Sequence, residues 1–301
     1  MDFEPGIGES LGRRLAQRWM PYRRGSSRDL EEARVIAVAS GKGGTGKSFL
    51  VTNLAVALHR RGRRVAVVDC DFGLGNAHLL FGVNPRLTMH HLLSGLAPVG
   101  SVLSPTEYGP WLIAGGSGIS GLAELERRHF EQLAQSLGIL ASQYDVLLLD
   151  CAAGLAPQSL LTALLAESLV VVTNPEIAAL TDAYALIKCI ARQSSSPDLH
   201  VAVNRVAKTG QGEPTFFRLA EVTRRFVGRS IHYVGEVVES PDVSHRRLGQ
   251  PPLIVSHPEC TAAQAILEVM ESLEQEMGPL AARQVSGEGV EQRLLRLLQD
   301  S

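Results

Sequence analysis

One stretch limits the fold more than any other. It is the glycine-rich segment GKGGTGKS, Gly41 to Ser48, set between the apolar run RVIAVAS and the amphipathic run KSFLVTNLAVALHRRG. The segment fits G-x-x-x-x-G-K-[ST] without a mismatch. A chance match in a chain of ordinary composition is roughly a one per cent event. Strand, glycine loop and helix in that order predict a phosphate-binding loop. Gly43, Gly44 and Gly46 lack the Cβ that would keep backbone N–H groups off an anion. The helix beginning near Lys47 adds its positive end. Lys47 is expected to neutralise the β- and γ-phosphate oxygens, and Ser48 to offer its hydroxyl to Mg²⁺. The expected ligand is therefore a nucleotide phosphate with Mg²⁺, held by Gly41, Lys42, Gly43, Gly44, Thr45, Gly46, Lys47 and Ser48.

The rest of the chain repeats the strand-then-helix alternation. RRVAVVDCD, YDVLLLD, SLVVVTNP, LHVAVNR and the shorter GPWLIAGG and IHYVGEV read as strands. Continuous Val/Ile/Leu runs suit strands covered on both faces. The segments GLAELERRHFEQLAQSLGILASQ, TDAYALIKCIARQ, FFRLAEVTRRFVG and CTAAQAILEVMESLEQ read as helices. Together they predict an α/β fold with a doubly wound, mainly parallel sheet. Three parts are expected: an arginine-rich extension over 1–33 with a short helix near Leu11 to Trp19, the nucleotide-binding domain over 34–277, and a spacer with an amphipathic helix over 278–301.

Composition removes several classes. Net charge is −2 over 301 residues, so the whole chain is no polyelectrolyte for nucleic acid. Cys70, Cys151, Cys189 and Cys260 form no C-x-x-C pair, which argues against zinc or a redox dithiol and for reduced thiols in the cytoplasm. The first ten residues lack an apolar core of a secretory signal, and no apolar run has the length of a membrane span.

Carboxylates at strand ends complete the expected site. Asp69 and Asp71 close VAVVDCD, and Asp150 closes VLLLD. An apolar run ending in Asp is the Walker B form, so Asp150, with Asp69, is expected to share the Mg²⁺ with Ser48. Asp71 is placed to orient the attacking water, and the Gly154 loop to sense the γ-phosphate. With no strong general base in view, Lys47 and Asp71 are the expected catalytic groups, acting by position and charge.

Lys42 exceeds what one nucleotide needs. KGGTGKS resembles the deviant Walker A loop, K-G-G-x-G-K-[ST], of the MinD/ParA ATPases of the SIMIBI class of P-loop NTPases. The resemblance covers roughly Arg34 to Glu274. It implies that Lys42 crosses to the nucleotide of a second subunit as a further catalytic group, so that ATP drives a homodimer. VVDCDFGLGN is similar to the family's first switch, D-x-D-x-G-L-x-N. TNPEIAALTDAYALIK, Thr173 to Lys188, resembles the corresponding segment of the flagellar-number regulators FlhG/FleN. VAVNR implies that Asn204 reads the adenine edge, with Arg205 packed beside the base. Three positions depart: Cys151 stands where the family has Thr, Val237-Val238 where it has Ile-Pro, and no clear N-terminal activator motif is present.

The resemblance implies a membrane-associated switch that sets flagellar number or placement. Its implied partners are the SRP-type GTPase FlhF, flagellar basal-body proteins or a flagellar transcription regulator. A ParA-type partition ATPase on DNA is the alternative reading. In VEQRLLRLLQDS, Val290, Leu294, Leu297 and Leu298 share one helical face beside Arg293 and Arg296. Such a face can lie on an anionic membrane or fold back on the domain.

Overall fold

The computed structural model describes residues 31–73, 75–116, 126–194, 196–246, 249–284 and 288–299. The expected helix near Leu11 to Trp19 and the start of the segment 121–143 lie outside them. In chain order, β1 (Glu31–Glu32) and β2 (Arg34–Ala39) lead through the glycine loop to α1 (Lys47–Arg60) and β3 (Val65–Cys70). Short helical turns at Ala77–Leu80, Met89–Leu93 and Val99–Val102 precede β4 (Ser104–Pro105) and β5 (Trp111–Ile113). Then follow α2 (Arg127–Ala141), β6 (Val146–Cys151), α3 (Pro157–Leu164), β7 (Ser168–Thr173), α4 (Ile177–Gln193), β8 (Asp198–Val206), α5 (Gly212–Val227) and β9 (His232–Val238). Turns at Pro241–Ser244 and Leu253–Ser256 lead to α6 (Thr261–Met277), β10 (Arg283–Gln284) and α7 (Val290–Gln299).

Eight strands form one sheet in the order β4-β5-β3-β6-β2-β7-β8-β9. Every neighbouring pair is parallel except the edge pair β4 and β5. β1 and β10 pair separately and antiparallel. The apolar runs become the fully buried strands β3, β6 and β7 because helices cover both faces of the sheet. Alternation along β2 divides the core. Val35, Ala37 and Ala39 face the cluster built on α2, α3, α4, α5 and α7, with Phe130, Leu164, Ile187 and Leu219 among its members. Ile36 and Val38 face the other, where Leu50, Leu54 and Leu58 of α1 meet Ile266, Val269 and Leu273 of α6.

This winding places the functional loops. β2 lies between β6 and β7, so the loop after β2 stands at the centre of the carboxyl edge of the sheet. In open α/β sheets that edge holds the ligand crevice. Asp69 and Asp150 are register partners on β3 and β6, which brings two distant strand ends side by side.

The C-terminal helix folds back. Val290, Leu294 and Leu297 are buried in the same cluster as α2, and Leu294 is fully covered. The Arg293 guanidinium donates to Leu165 O at 2.7 Å and to Glu288 O at 3.2 Å. Each fully buried Leu or Val is worth about 1.5–3 kcal/mol. Of the two readings left open, a face on a membrane or one folded back on the domain, the structure shows the second: α2 and its neighbours cover Val290, Leu294 and Leu297. No described helix is long and apolar enough to cross a membrane.

Candidate nucleotide site

The glycine loop owes its shape to a few close approaches. Gly46 has φ 93°, in the left-handed region, and a Cβ there would lie 2.1 Å from Asn204 Nδ2. A Cβ on Gly41 would lie 2.1 Å from the carbonyl oxygen of Asp182. Neither position admits a side chain without displacing its neighbour. Asn204 Nδ2 donates to Thr45 O at 2.7 Å, while Asn204 Oδ1 accepts the Arg205 N–H at 2.9 Å. The amide thus ties the end of β8 to the loop. Resemblance assigned Asn204 to the base edge; the structure shows that both polar ends of its side chain have protein partners. On the other side, the Gly154 N–H donates to Ser40 O at 2.9 Å, and Ser40 Oγ donates to Lys42 O at 2.7 Å.

The two lysines occupy different environments. Lys47, at the first position of α1, is 9 % exposed. Lys42 is exposed, and its Nζ lies 3.0 Å from Glu176 Oε2. Glu176 immediately precedes α4 and its N–H donates to Asn174 Oδ1 at 3.1 Å.

The carboxylates also divide. Asp69 is fully buried; its Oδ1 accepts the Asp71 N–H at 3.0 Å and its Oδ2 the Ala77 N–H at 3.2 Å. Burial, then the nearby Asp150 charge, raises its pKa to about 7. Asp69, expected among the Mg²⁺ ligands, accepts one backbone N–H on each of its oxygens. Asp150 is 2 % exposed, and its Oδ1 has no hydrogen-bond partner. Burial raises its pKa to about 6, against the hydrogen bond from Ser48 and the charge of Lys47. A buried carboxylate oxygen left without a donor, beside a serine hydroxyl, fits a hard cation. Mg²⁺ takes one or two carboxylates and completes its shell with water and phosphate. Asp71 is half-buried, and its Oδ1 accepts the Gly73 N–H at 3.3 Å.

A cavity of about 390 Å³ opens beside the loop. Gly44, Gly46, Phe49, Asn204, Arg205 and Val238 are among its lining residues. Arg205 adopts φ 56°, unusual for a residue with a side chain, and its Nη2 pairs with Glu239 Oε1 at 3.0 Å. Asn204 and Arg205, expected at the base, both line this cavity beside the loop. It also recruits Phe49 and Arg246, which have no signal in the sequence. Glu176 was missed as well, although its place just before an amphipathic helix in NPEIAALTDAY marked it as a helix-start carboxylate.

Fold and site together define a P-loop nucleotide-binding domain with a two-lysine phosphate loop. The sequence matches the CobQ/CobB/MinD/ParA nucleotide binding domain over residues 36–278. The chain belongs to that family, and within it to the MinD/ParA ATPases. The antiactivator FleN of Pseudomonas aeruginosa is 30% identical over 245 residues, 81% of this chain and 88% of that protein. The flagellum site-determining protein YlxH of Helicobacter pylori is 35% identical over 216 residues, 69% of this chain and 70% of that protein. Among solved structures, the septum site-determining protein MinD of Pyrococcus horikoshii, complexed with Mg-ADP, superposes with TM-score 0.69 at 28% identity, covering 82% of this chain and 98% of that one.

Proposed function

We propose that this chain is an ATP-driven dimerising switch that sets flagellar number or placement. The observation that carries the reading is the division of labour between its two loop lysines. Lys47 is buried beside Asp150, where one nucleotide's phosphates belong, while Lys42 stands at the surface on an exchangeable partner. A cation that no nucleotide of its own subunit needs is available to the phosphates of a second subunit. The flagellar reading rests on the names of FleN and YlxH.

In this reading the loop amides and Lys47 hold the phosphates, and Ser48 and Asp150 hold the cation. The bound Mg²⁺ supplies charge neutralisation on the β- and γ-phosphates. Asp71 positions a water, and Asp69 keeps Asp71 in place through the backbone of the 71–77 loop. Gly154, bonded to the loop carbonyl of Ser40, gives β6 a route by which phosphate occupancy reaches the second switch. Arg205, Phe49 and Val238 form the base wall.

Contact with an anionic membrane requires α7 to leave α2, since its apolar residues are covered while it is docked. Partner proteins of the FlhF, basal-body or transcription-regulator kind remain part of the proposal. The test has two arms. Light scattering with ATP, ADP and no nucleotide should give a dimer with ATP alone. Deleting the gene in a flagellated host should change flagellar count or position under electron microscopy. A monomer in ATP overturns the switch, and unchanged flagella overturn the cellular role.

A further inference from the structure

Away from the nucleotide site, α4 and α5 leave an open apolar groove of about 480 Å³ between them. Ile177, Leu180 and Tyr184 line it from α4; Leu219, Val222 and Phe226 line it from α5. These are not residues half hidden by loops. Ile177 is 82% exposed and Phe226 64%. A soluble domain rarely leaves so many large apolar side chains together in water without a use for them. Two packed helices with a trough between them offer the shape that accepts one face of a third helix.

Among the described residues, the one charged side chain that lines the trough is basic, and two more cations sit against its aromatic rings. Arg218 lines it, the Arg225 guanidinium lies 5.1 Å from the Phe226 ring centroid, and Lys188 Nζ lies 5.8 Å from the Tyr184 ring centroid. No carboxylate lines the groove. The nearest acidic residues on this side have other neighbours: Glu176, just before α4, is paired with Lys42, and Asp182 of α4 lies against Gly41 of the phosphate loop. Glu221 of α5 does not reach the lining.

These charges decide among occupants. The chain's own residues 1–30 carry six arginines against four carboxylates, so that segment has the wrong sign. The apolar face of α7 is already buried against α2. A lipid surface is flat and would leave the floor of a concave trough unfilled. We propose that the α4–α5 groove docks an amphipathic helix of another protein, one whose apolar stripe is flanked by Asp and Glu. The apolar stripe fills the trough, and its carboxylates meet Arg218, Arg225 and Lys188. One end of the trough is Ile177, next in sequence to the carboxylate that holds Lys42. An occupant there touches the segment that presents the exposed lysine, so docking and the release of Lys42 are coupled through shared residues.

The experiment uses the full chain without nucleotide, which separates it from the dimer reading above. Two fluorescein-labelled helical peptides of about 18 residues carry the same Leu stripe at i, i+3, i+4 and i+7 spacing. One is flanked by Glu, the other by Lys. Fluorescence anisotropy should show the Glu-flanked peptide binding at least about tenfold more tightly, with affinity falling as salt rises. Val222→Asp and, separately, Phe226→Ser should each remove that binding while circular dichroism and Tm stay as in the parent. The double variant Arg218→Glu, Arg225→Glu should reverse the preference toward the Lys-flanked peptide. Binding of neither peptide, equal binding of both, or indifference to Val222→Asp overturns the proposal. So does a concentration-dependent dimer, or sedimentation with phosphatidylglycerol vesicles, that Val222→Asp abolishes, since a second copy or a membrane would then be the occupant.

Discussion

Lys42 Nζ lies 3.0 Å from Glu176 Oε2, and both side chains are about half exposed. The exposed lysine of the phosphate loop is thus held by the residue that opens α4. A solvent-exposed pair of this kind is worth at most about 1 kcal/mol, which makes it a weak hold that a triphosphate can displace. Lys42→Ala should keep nucleotide binding in a calorimetric titration yet stay monomeric in ATP by light scattering. Glu176→Ala should leave Tm nearly unchanged and lower the ATP concentration at which the dimer appears. A normal ATP dimer of Lys42→Ala would remove the lysine from the interface.

Asp71 follows Asp69, whose carboxylate accepts its backbone N–H. That bond fixes the backbone from which the Asp71 side chain projects. Asp71→Ala should bind ATP as the parent does and lose turnover by about 100-fold or more, read in a single-turnover assay. Turnover within a factor of two of the parent would count against a water-positioning role.

Asn204 joins two distant segments through one buried amide, Nδ2 to Thr45 O. Removing one partner of a buried hydrogen bond costs about 1–3 kcal/mol. Asn204→Ala should lower urea-derived stability by that amount and weaken nucleotide binding, because the loop loses its tie to β8. A variant that keeps full stability would show that the bond contributes nothing.

Leu294 is fully buried between α7 and α2. Leu294→Ala should destabilise by about 2–5 kcal/mol if α7 stays docked as the domain unfolds cooperatively. Urea denaturation measures it. No change in midpoint would mean that α7 leaves the domain freely in solution.

Burial raises Asp150 to about 6 and Asp69 to about 7, both above the 3.8 of an exposed aspartate. The unfolded chain therefore ionises these groups first as pH rises. Their contribution to folding is most favourable below about pH 4 and declines through pH 6 to 7. Cation binding runs the other way, because Mg²⁺ needs the ionised carboxylate. Apparent Mg²⁺ affinity, titrated with the nucleotide present, should rise between pH 5 and about pH 7 and then level. In Asp150→Asn the rise should shrink sharply; an unaltered pH profile would take Asp150 out of the cation site.

Local pattern alone determined much of this molecule. The period of the apolar residues marks VAVVDC and VLLLDC as doubly covered strands, and seven residues of spacing between Gly41 and Ser48 mark the loop. Those signals are short-range, so they are visible without folding the chain. The carboxyl-terminal helix was legible as amphipathic, but its pattern is the same whether lipid or α2 meets its apolar face. Tertiary structure decided that, and it decided the roles of the polar residues too. Asn204 and Thr45 are 159 residues apart, and Lys42 and Glu176 are 134 apart. Their pairings exist because the strand order sets β6, β2, β7 and β8 side by side with their carboxyl ends aligned. Asp69 and Asp150 look alike as strand-end aspartates in one dimension. In three, backbone amides take both oxygens of one, while burial leaves an oxygen of the other without a partner.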